Sequence, residues 1–303
     1  MNNNNNKKNQ HYVWRKYLES WADNGKIFCL RNNNIFQTNT KNIGVENYFY
    51  KLPSLNGDEI RLIQDFIKSL NMSDKIKNLN YGWLENLFIP FAIIKSLNIN
   101  DKETVDKLNK MEINCEEDYH SRIESDSMSF IKSILKGNID VLYSEENYYL
   151  SFIYFICTQY FRTKKMKQLI SNFKCINKNI NTENIWPVLR FILTTNLSYN
   201  LITLKYKIIL IRNESSLEFI AGDQPLINIY PITDENNSPK KLIFYYPISP
   251  KIALLIMENT ESLKKSISVN DCKKINRWNM LIVEKSCEQI YACSEKTLKL
   301  YKT

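Results

Sequence analysis

Apolar residues change their spacing along this chain, from helical steps over residues 58–200 to strand-like runs after residue 200. The segment "DEIRLIQDFIKSL" at 58–70 repeats apolar residues three and four positions apart, whereas "KIILIRN" at 207–213 is a nearly continuous Ile-rich run. Helical and strand segments that are segregated in this way are typical of an α+β fold. The chain has only 6 Gly and 8 Pro, so few positions interrupt a helix and an all-β fold is disfavoured.

We therefore predict an α+β fold. Its parts are a central helical bundle, a short N-terminal β segment, and a C-terminal antiparallel β meander with a closing helix. A single α+β domain is expected over 11–303, mainly helical over 58–200 and mainly β with one helix over 201–303. The leading residues 1–10, "MNNNNNKKNQ", are predicted to be a disordered polar segment. Residues 145–173 are predicted to form one long buried helix.

The formal net charge is +9, from 41 Lys and Arg against 32 Asp and Glu. One interpretation is a polyanionic partner such as nucleic acid. The other is the Lys-, Asn- and Ile-rich composition that an AT-rich genome encodes, together with ordinary solubility, because the longest basic run is only "TKKMK" at 163–167. Both interpretations stay open.

The seven cysteines form no Cys-x-x-Cys pair and are odd in number, so the sequence predicts neither a disulfide framework nor a zinc cluster. A reducing cytoplasm is the natural location. The most apolar stretch, "YYLSFIYFICTQYF" at 148–161, is too short to span a bilayer, so no membrane association is expected. Residues 1–10 lack the apolar core of a signal peptide.

Two polar residues interrupt the apolar face of the predicted helix at 145–173. Gln159 and Arg162 follow Phe152, Phe155 and Ile156 at helical spacing. A buried Arg needs a partner, and its guanidinium suits a carboxylate or a phosphate. The sequence leaves two possibilities open, an Arg paired with a core carboxylate and an Arg that faces a site.

A turn in "FIAGDQPLINIY" at 219–230 carries Asp223 between two β-like runs. Gly222 permits unusual backbone angles, and Pro225 holds the preceding residue extended. An Asp in such a turn accepts backbone N–H bonds in many proteins, which would be a purely structural role. The functional alternative is a carboxylate that points from a strand end into a cleft.

The two histidines each have a functional and a structural interpretation. Glu116, His120 and Glu124 share one helical face, where they would either ligate a divalent metal or form a solvated, salt-bridged surface. His11, beside Tyr12, would be either a general base or a structural residue.

The order of these segments resembles the bacterial family called domain of unknown function 4238, over nearly the whole chain from about 10 to 300. The opening "QHYVWRKYLESWA" is similar to the family's start, through His11, Val13, Tyr17, Leu18 and Trp21. Further segments resemble its Glu-bearing helix, its Gln-x-x-Arg-Thr helix, its Ser-Asp-Asn-Pro turn, its Pro-Leu-Ser-Pro strand pair and its closing helix. The residues that match there are Glu124, Gln159, Arg162, Thr163, Asp223, Pro225 and Asn276, with the strand pair at "YYPISPKIALLI". Trp14, Gly222 and Gln224 depart from the family's usual Pro, Ser and Asn.

The resemblance adds five polar residues from distant segments, which suggests a shared site or a buried network. As an enzyme, the chain would hydrolyse phosphodiesters, as an intracellular nuclease in a toxin or phage-defence role. His11 would act as base, Glu124 and Asp223 would hold a divalent metal such as Mg²⁺, and Arg162 beside Gln159 would bind phosphate. The alternative is a non-catalytic binding or regulatory module with a buried Arg–carboxylate network. An open pocket around these residues favours the enzyme, and a closed network favours the module.

Overall fold

The computed structural model describes residues 7–97, 99–172, 178–230, 241–259 and 264–302. Helices within these residues are α1 (Arg15–Leu18), α2 (Gly57–Ser69), α3 (Asp74–Trp83), α4 (Ile89–Ser96), α5 (Lys102–Leu135), α6 (Glu146–Phe161), α7 (Lys164–Ser171), α8 (Thr182–Thr203), α9 (Cys272–Lys285) and α10 (Glu295–Lys299). Short 3-10 turns occupy Glu19–Trp21, Thr40–Asn42 and Asp140–Tyr143.

The described strands are β1 (Asn9–His11), β2 (Lys26–Arg31), β3 (Asn34–Asn39), β4 (Val45–Asn47), β5 (Lys207–Asn213), β6 (Ala221–Gly222), β7 (Ile227–Asn228), β8 (Ile243–Pro247), β9 (Ile252–Met257), β10 (Ser266–Val269) and β11 (Gln289–Ala292). They form three sheets, with strand orders β1-β4, β10-β5-β9-β8-β7 and β3-β2-β11-β6. The pairing is antiparallel in the two larger sheets except between β10 and β5, which run parallel. The predicted α+β class is confirmed.

The chain folds into two compact units, each built from three segments. The helical unit comprises 1–10, 46–126 and 166–200, and the mixed unit comprises 11–45, 127–165 and 201–303. The single domain over 11–303 stays a prediction.

The helical unit has a core of aliphatic and aromatic side chains from α2, α4, α8 and the π-turn Leu84–Phe88. Helix α2 begins where the sequence signals it, because Asn56 Oδ1 accepts hydrogen bonds from the backbone N–H groups of Asp58 and Glu59. Glu59 in turn accepts the backbone N–H of Asn56 at 2.9 Å, which completes a capping box. Pro90 lies in the first turn of α4, directly after the π-turn, where a helix tolerates proline because an N–H at that position has no partner within the helix.

The mixed unit contains the four- and five-stranded sheets with α9 packed on them. Its core joins residues from β5, β7, β8, β9 and β11 to the buried face of α9, where Ile275, Trp278 and Ile282 lie. The predicted C-terminal meander is only partly correct. Strands β7, β8 and β9 pair in sequence, but β6 leaves them and pairs with β11, which also pairs with the N-terminal strand β2.

The long helix predicted at 145–173 is wrong as a single element. The structure has two helices, α6 and α7, separated at Arg162 and Thr163. Arg162 has φ −79° and ψ 3°, which is no longer helical, and both side chains at the break are buried. Residue 173 lies outside the described residues.

The prediction of a disordered lead-in over 1–10 is wrong for the last residues of that segment. Residues 1–6 lie outside the described residues, but Asn9–His11 form β1. Gln10 is buried, donates to the Ile113 carbonyl oxygen at 2.6 Å and accepts the Tyr50 backbone N–H at 2.6 Å. These bonds hold the residues before His11 in place within the helical unit.

Candidate functional site

Arg162 lies at the end of α6 and is almost wholly buried. Its Nη2 donates to the backbone carbonyl oxygen of His11 at 2.5 Å, a contact within the mixed unit. A hydrogen bond from a charged donor to a carbonyl is stronger than a neutral one. Arg162 therefore ties the end of α6 to β1 at His11.

Asp223 follows β6 and is completely buried. Its carboxylate accepts the backbone N–H groups of three consecutive residues: Cys287 at 2.6 Å, Glu288 at 2.8 Å and Gln289 at 3.1 Å. Its own backbone N–H donates to the Gln289 carbonyl oxygen at 3.0 Å. Both carboxylate oxygens are thus used to anchor the segment that leads from α9 into β11.

The electrostatic surroundings of Asp223 oppose its ionisation on balance. Burial raises the pKa of Asp223 to about 6, although the three N–H donors act to lower it. The neighbouring Glu288 carboxylate also raises that pKa, by a smaller amount. Asp223 consequently changes charge near pH 6, although its side chain is completely buried.

Gly222 is required by its surroundings. A Cβ atom added at Gly222 would lie 2.1 Å from Ser286 Oγ and 3.0 Å from Ile282 Cγ2, both on or just after α9. The Ser286 hydroxyl donates to the Ile282 carbonyl oxygen at 2.7 Å. The family that the sequence resembles usually has Ser where this chain has Gly222. Here the side chain of Ser286 fills the space that a serine at 222 would need.

A second polar connection joins the α6–α7 break to the Asp223 turn. Thr163 Oγ1 donates a short hydrogen bond to Gln224 Oε1. Gln224 Nε2 donates to the carbonyl oxygens of Leu226 at 2.8 Å and Tyr160 at 3.2 Å. No contact of Thr163 or Gln224 was predicted from the sequence, although the position of both residues in the motifs that resemble the family was the available signal.

Gln159 is buried one helical turn before Thr163. Among the described residues, its Nε2 has no hydrogen-bond acceptor. A buried donor without an acceptor is destabilising by about 1–3 kcal/mol. Gln159 therefore differs from Arg162 and Thr163, whose side chains donate to the His11 carbonyl oxygen and to Gln224 Oε1.

His11 is partly buried in the mixed unit. Burial lowers the pKa of His11 to about 4, and the positive charges of Arg162 and Arg15 lower it further, while a backbone hydrogen bond at Thr40 acts in the opposite direction. The imidazole is therefore neutral at physiological pH. A neutral imidazole could accept a proton, but this basicity is weak.

The structure places four of the five predicted site residues in the mixed unit. His11 and Arg162 are in contact, and the bond from Thr163 to Gln224 connects the Arg162 break to the turn that holds Asp223. Glu124 lies on α5 in the helical unit. The predicted catalytic roles of these residues stay predictions.

Of the two alternatives for Glu116 and His120, the solvated, salt-bridged face is wrong, because both side chains are buried. The Glu116 carboxylate forms a close ion pair with Arg190 of α8, and its Oε1 lies 3.3 Å from His120 Nε2. The Arg190 guanidinium lies 4.9 Å from the centre of the Tyr50 ring. Burial lowers the pKa of Arg190 to about 10. This ion pair was missed, although a single Arg in the apolar run "IWPVLRFIL" was the same signal that singled out Arg162.

The described residues offer little support for a bound metal. Among them, no three His, Cys, Asp or Glu side chains gather closely enough to hold a metal ion. Both oxygens of Asp223, one of the two predicted ligands, accept backbone N–H groups instead.

Charge is divided unequally between the two units. The helical unit contains 16 Lys and Arg against 16 Asp and Glu, whereas the mixed unit contains 25 against 16. The whole net charge of +9 therefore belongs to the mixed unit. No helix in the described part of the chain is long and apolar enough to cross a membrane.

Comparison with known proteins gives one match, to a family. The family model described as "Protein of unknown function (DUF4238)" matches residues 9–185 and 191–296. Neither the curated proteins nor the solved structures give a significant match to the chain. The family match includes β1, the Arg162 break, the Asp223 turn and α9, so the resemblance seen in the sequence is confirmed. The chain belongs to the DUF4238 family of proteins of unknown function.

Proposed function

We propose that this protein is a non-catalytic binding module for a polyanion, with nucleic acid as the partner class and the mixed unit as the part that binds. The observation that carries the proposal is the burial of Arg162 and Asp223, because Arg162 Nη2 and both Asp223 carboxylate oxygens bind main-chain groups. Such residues stabilise a fold and leave little for a substrate to contact.

The geometry of Asp223 argues against a catalytic role. A general base or a metal ligand must reach its substrate or its ion within hydrogen-bonding or coordination distance. The Asp223 carboxylate is completely buried and is occupied by three N–H donors. Ligation of Mg²⁺ there would require the segment Cys287–Gln289 to lose its anchor.

The choice of partner depends on charge. A net charge of +9 that is confined to one unit raises the local concentration of anions there. Proteins that bind nucleic acids through Lys and Arg release counterions, so their affinity falls steeply as salt rises. This dependence distinguishes polyanion binding from binding of a neutral partner.

Phosphodiester hydrolysis is the second candidate, and one observation favours it. His11 is neutral at physiological pH and contacts Arg162 through its carbonyl oxygen, which places a potential base near a cation. Residues with perturbed pKa values are enriched at functional sites. A nuclease of this kind would be an effector of the toxin or phage-defence type.

A single assay separates the two candidates. Labelled single-stranded RNA, single-stranded DNA and duplex DNA are incubated with the protein with and without Mg²⁺, and both binding and cleavage are measured at several salt concentrations. We expect binding whose log affinity falls with log salt by about 0.7 per phosphate contacted on single strands, without cleavage. Cleavage that Asp223→Asn abolishes in a folded protein would overturn the non-catalytic proposal. Absence of binding at low salt would overturn the polyanion partner.

The structural role of Arg162 is tested by Arg162→Ala. We expect the free energy of unfolding to fall by about 2–4 kcal/mol, because a hydrogen bond from a charged donor contributes about 1.5–3 kcal/mol and the truncation leaves a cavity. Urea denaturation measures this change. Arg277→Ala, at an exposed position on α9, is the control and should change stability by less than about 0.5 kcal/mol. An Arg162→Ala protein as stable as the wild type would contradict a structural role.

A further inference from the structure

We infer that a cavity between α6 and β5 in the mixed unit binds a nucleotide, with its base on tyrosine rings and its phosphate on lysines. The inference rests on the proposed function and specifies where and how an anion would be held. The cavity has a volume of about 600 Å³. The residues that carry the argument are Tyr143, Tyr149, Lys205, Tyr206, Lys207 and Lys265.

The aromatic wall of this cavity is held in place by its own phenol groups. Tyr149 Oη donates to the Tyr206 carbonyl oxygen at 2.6 Å, and Tyr143 Oη accepts the Ile208 backbone N–H at 3.3 Å. The rings of Tyr143 and Tyr149 are stacked, with centroids 5.9 Å apart and an angle of 24° between their planes. Tyr143 nevertheless remains 44% exposed. The exposed part of Tyr143 is therefore the surface on which a planar base would pack, next to the Lys265 ammonium.

Three lysines supply the positive charge beside this wall. Lys205 is exposed at the turn between α8 and β5, and Lys207 begins β5. Lys265 Nζ lies 5.7 Å from the centre of the Tyr143 ring and 2.5 Å from Asp140 Oδ1. Three lysines that line one cavity with tyrosine rings match a ligand that joins a phosphate to a base, which is the combination that proteins use to bind single strands.

Two carboxylates also line the cavity and restrict the choice of base. Glu145 and Glu146 stand at the start of α6, where the helix N-terminus favours negative charge. A hydrogen bond connects the Glu145 side chain to Tyr148. These carboxylates would repel a phosphate but would accept a hydrogen bond from an exocyclic amino group, as Glu and Asp do with cytosine N4. The phosphate is therefore assigned to the lysine side, and a base with an amino group to the glutamate side.

The cavity has the properties of a ligand site rather than of a simple anion site. Its volume falls within the range of about 300–1,000 Å³ that is usual for small-molecule sites. Inorganic phosphate could use the lysines but not the rings. Inorganic phosphate should therefore bind much more weakly than a nucleotide.

The test uses the full chain and isothermal titration calorimetry with four probes: AMP, IMP, inorganic phosphate and a 12-nucleotide adenine RNA. IMP lacks the amino group of AMP. We expect AMP to bind more tightly than IMP, and phosphate alone to bind weakest. Tyr143→Ala should weaken binding of AMP by about fivefold to 150-fold, because stacking of one base on an aromatic ring contributes that much. Tyr143→Phe keeps the ring and should bind AMP nearly as well as the wild type.

Lys205→Gln tests the phosphate side, with Lys299→Gln as its matched control. Lys299 is exposed on α10 in the same unit and pairs with Glu295 at 2.9 Å. Of these two variants, only Lys205→Gln should weaken the binding of AMP. Circular dichroism melts of each variant confirm that the protein remains folded.

The outcomes separate this inference from the proposed function. If the RNA and AMP both bind and Tyr143→Ala weakens both, the cavity belongs to a single-strand site. If AMP alone binds and is weakened, the cavity takes a free nucleotide and the polyanion proposal fails. If the RNA binds but Tyr143→Ala and Lys205→Gln change nothing, the cavity inference is overturned and the proposed function stands. If no probe binds, both are overturned.

Discussion

Asp223 shows how a single carboxylate can organise main chain from another segment. It lies directly after β6 and accepts the N–H groups of Cys287, Glu288 and Gln289, which follow α9. Consecutive backbone N–H groups that point to one place form an anion-binding concavity. Here the anion is a side chain of the protein itself, so β6 and β11 are held at a fixed register.

Asp223→Asn should destabilise the protein strongly. The amide keeps one acceptor oxygen but places an NH₂ group against backbone N–H donors, and a buried donor that is left without its acceptor costs about 1–3 kcal/mol. We expect a loss of about 2–4 kcal/mol in urea denaturation at pH 7. The control, Asp106→Asn at an exposed position on α5, should be nearly neutral. Equal stability of the two variants would contradict the anchoring role.

His11 should make stability dependent on pH below neutrality. Its folded pKa of about 4 lies below the ordinary 6.5, so the unfolded chain takes up the proton first as pH falls. The stability that the neutral imidazole contributes is present above pH 6.5 and is lost between about pH 6.5 and 4. The urea midpoint of the wild type should therefore fall relative to that of His11→Gln as pH is lowered across this range.

The control for that titration is Lys26→Gln, at an exposed strand residue, which should follow the wild-type profile. Asp223 contributes with the opposite sign, because its folded pKa is raised from 3.8 to about 6 and its stabilising effect is lost as pH rises through 6. Measuring His11→Gln against wild type at each pH removes the contribution of Asp223, which both proteins share. Parallel profiles for wild type and His11→Gln would disprove the prediction.

At the scale of elements, the end of helix α5 connects that helix to the five-stranded sheet. Helix α5 ends at Leu135, and Gly137 follows with φ +83°. The Gly137 carbonyl oxygen accepts a hydrogen bond from Arg212 Nη2 of β5 at 2.9 Å. The glycine thus ends the helix and also receives a side chain from the five-stranded sheet.

Gly137→Ala should be destabilising by about 1–2 kcal/mol, because a side chain disfavours the left-handed conformation by that amount. The new Cβ would also meet the Arg212 guanidinium closely. Gly57→Ala is the matched control at the first residue of α2, where a Cβ has no atom within 4 Å. The control should be neutral or stabilising by about 0.4–1 kcal/mol. Thermal melts of both variants make the comparison, and equal effects would contradict it.

At the scale of the whole molecule, the chemistry of the chain is distributed unevenly. All of the net positive charge belongs to the mixed unit.

The pKa values of the described cysteine thiols also differ from one another. Burial raises the pKa of Cys29 and Cys293 to about 12 and also raises that of Cys115 and Cys287. Cys272 is exposed, and the hydroxyl of Ser216 and nearby backbone N–H groups lower its pKa.

Thiol-labelling kinetics should therefore show one fast cysteine among the described six. The thiolate is the reactive form, and Cys272 combines exposure with a lowered pKa. The experiment uses a Cys175→Ser background, since Cys175 lies outside the described residues. Adding Cys272→Ser should abolish the fast phase, whereas adding Cys293→Ser should leave it intact. A fast phase that survives Cys272→Ser would disprove the prediction that Cys272 is the most reactive of the six cysteines.

Local signals predicted individual elements well. Strand β2 at Lys26–Arg31 agrees with its apolar run, and α2 at Gly57–Ser69 agrees with its periodicity to within one residue. The turn at Asn24 and Gly25 has the positive φ values that its sequence indicates. These features depend on residues within a few positions, so the sequence contains all of their causes.

The sequence identified the candidate residues, but it did not predict the partners that determine their roles. The sequence singled out Arg162 and Asp223 because a charge within apolar residues needs a partner. It could not show that Asp223 binds backbone N–H groups more than 60 residues away, or that Glu116 pairs with Arg190. The type of a residue does not show whether its backbone N–H binds a side chain, because every non-proline residue has such an N–H.

The sequence by itself determined the α+β class, the family and the local elements, because periodicity, turn residues and motif order are properties of neighbouring positions. Only the tertiary structure decided that β2 pairs with β11, that the helix at 145–173 breaks at Arg162, and that the net charge belongs to one unit. Each of these depends on contacts between distant segments. Their free energy, as in the bond from Thr163 to Gln224, outweighs local propensity where the two disagree.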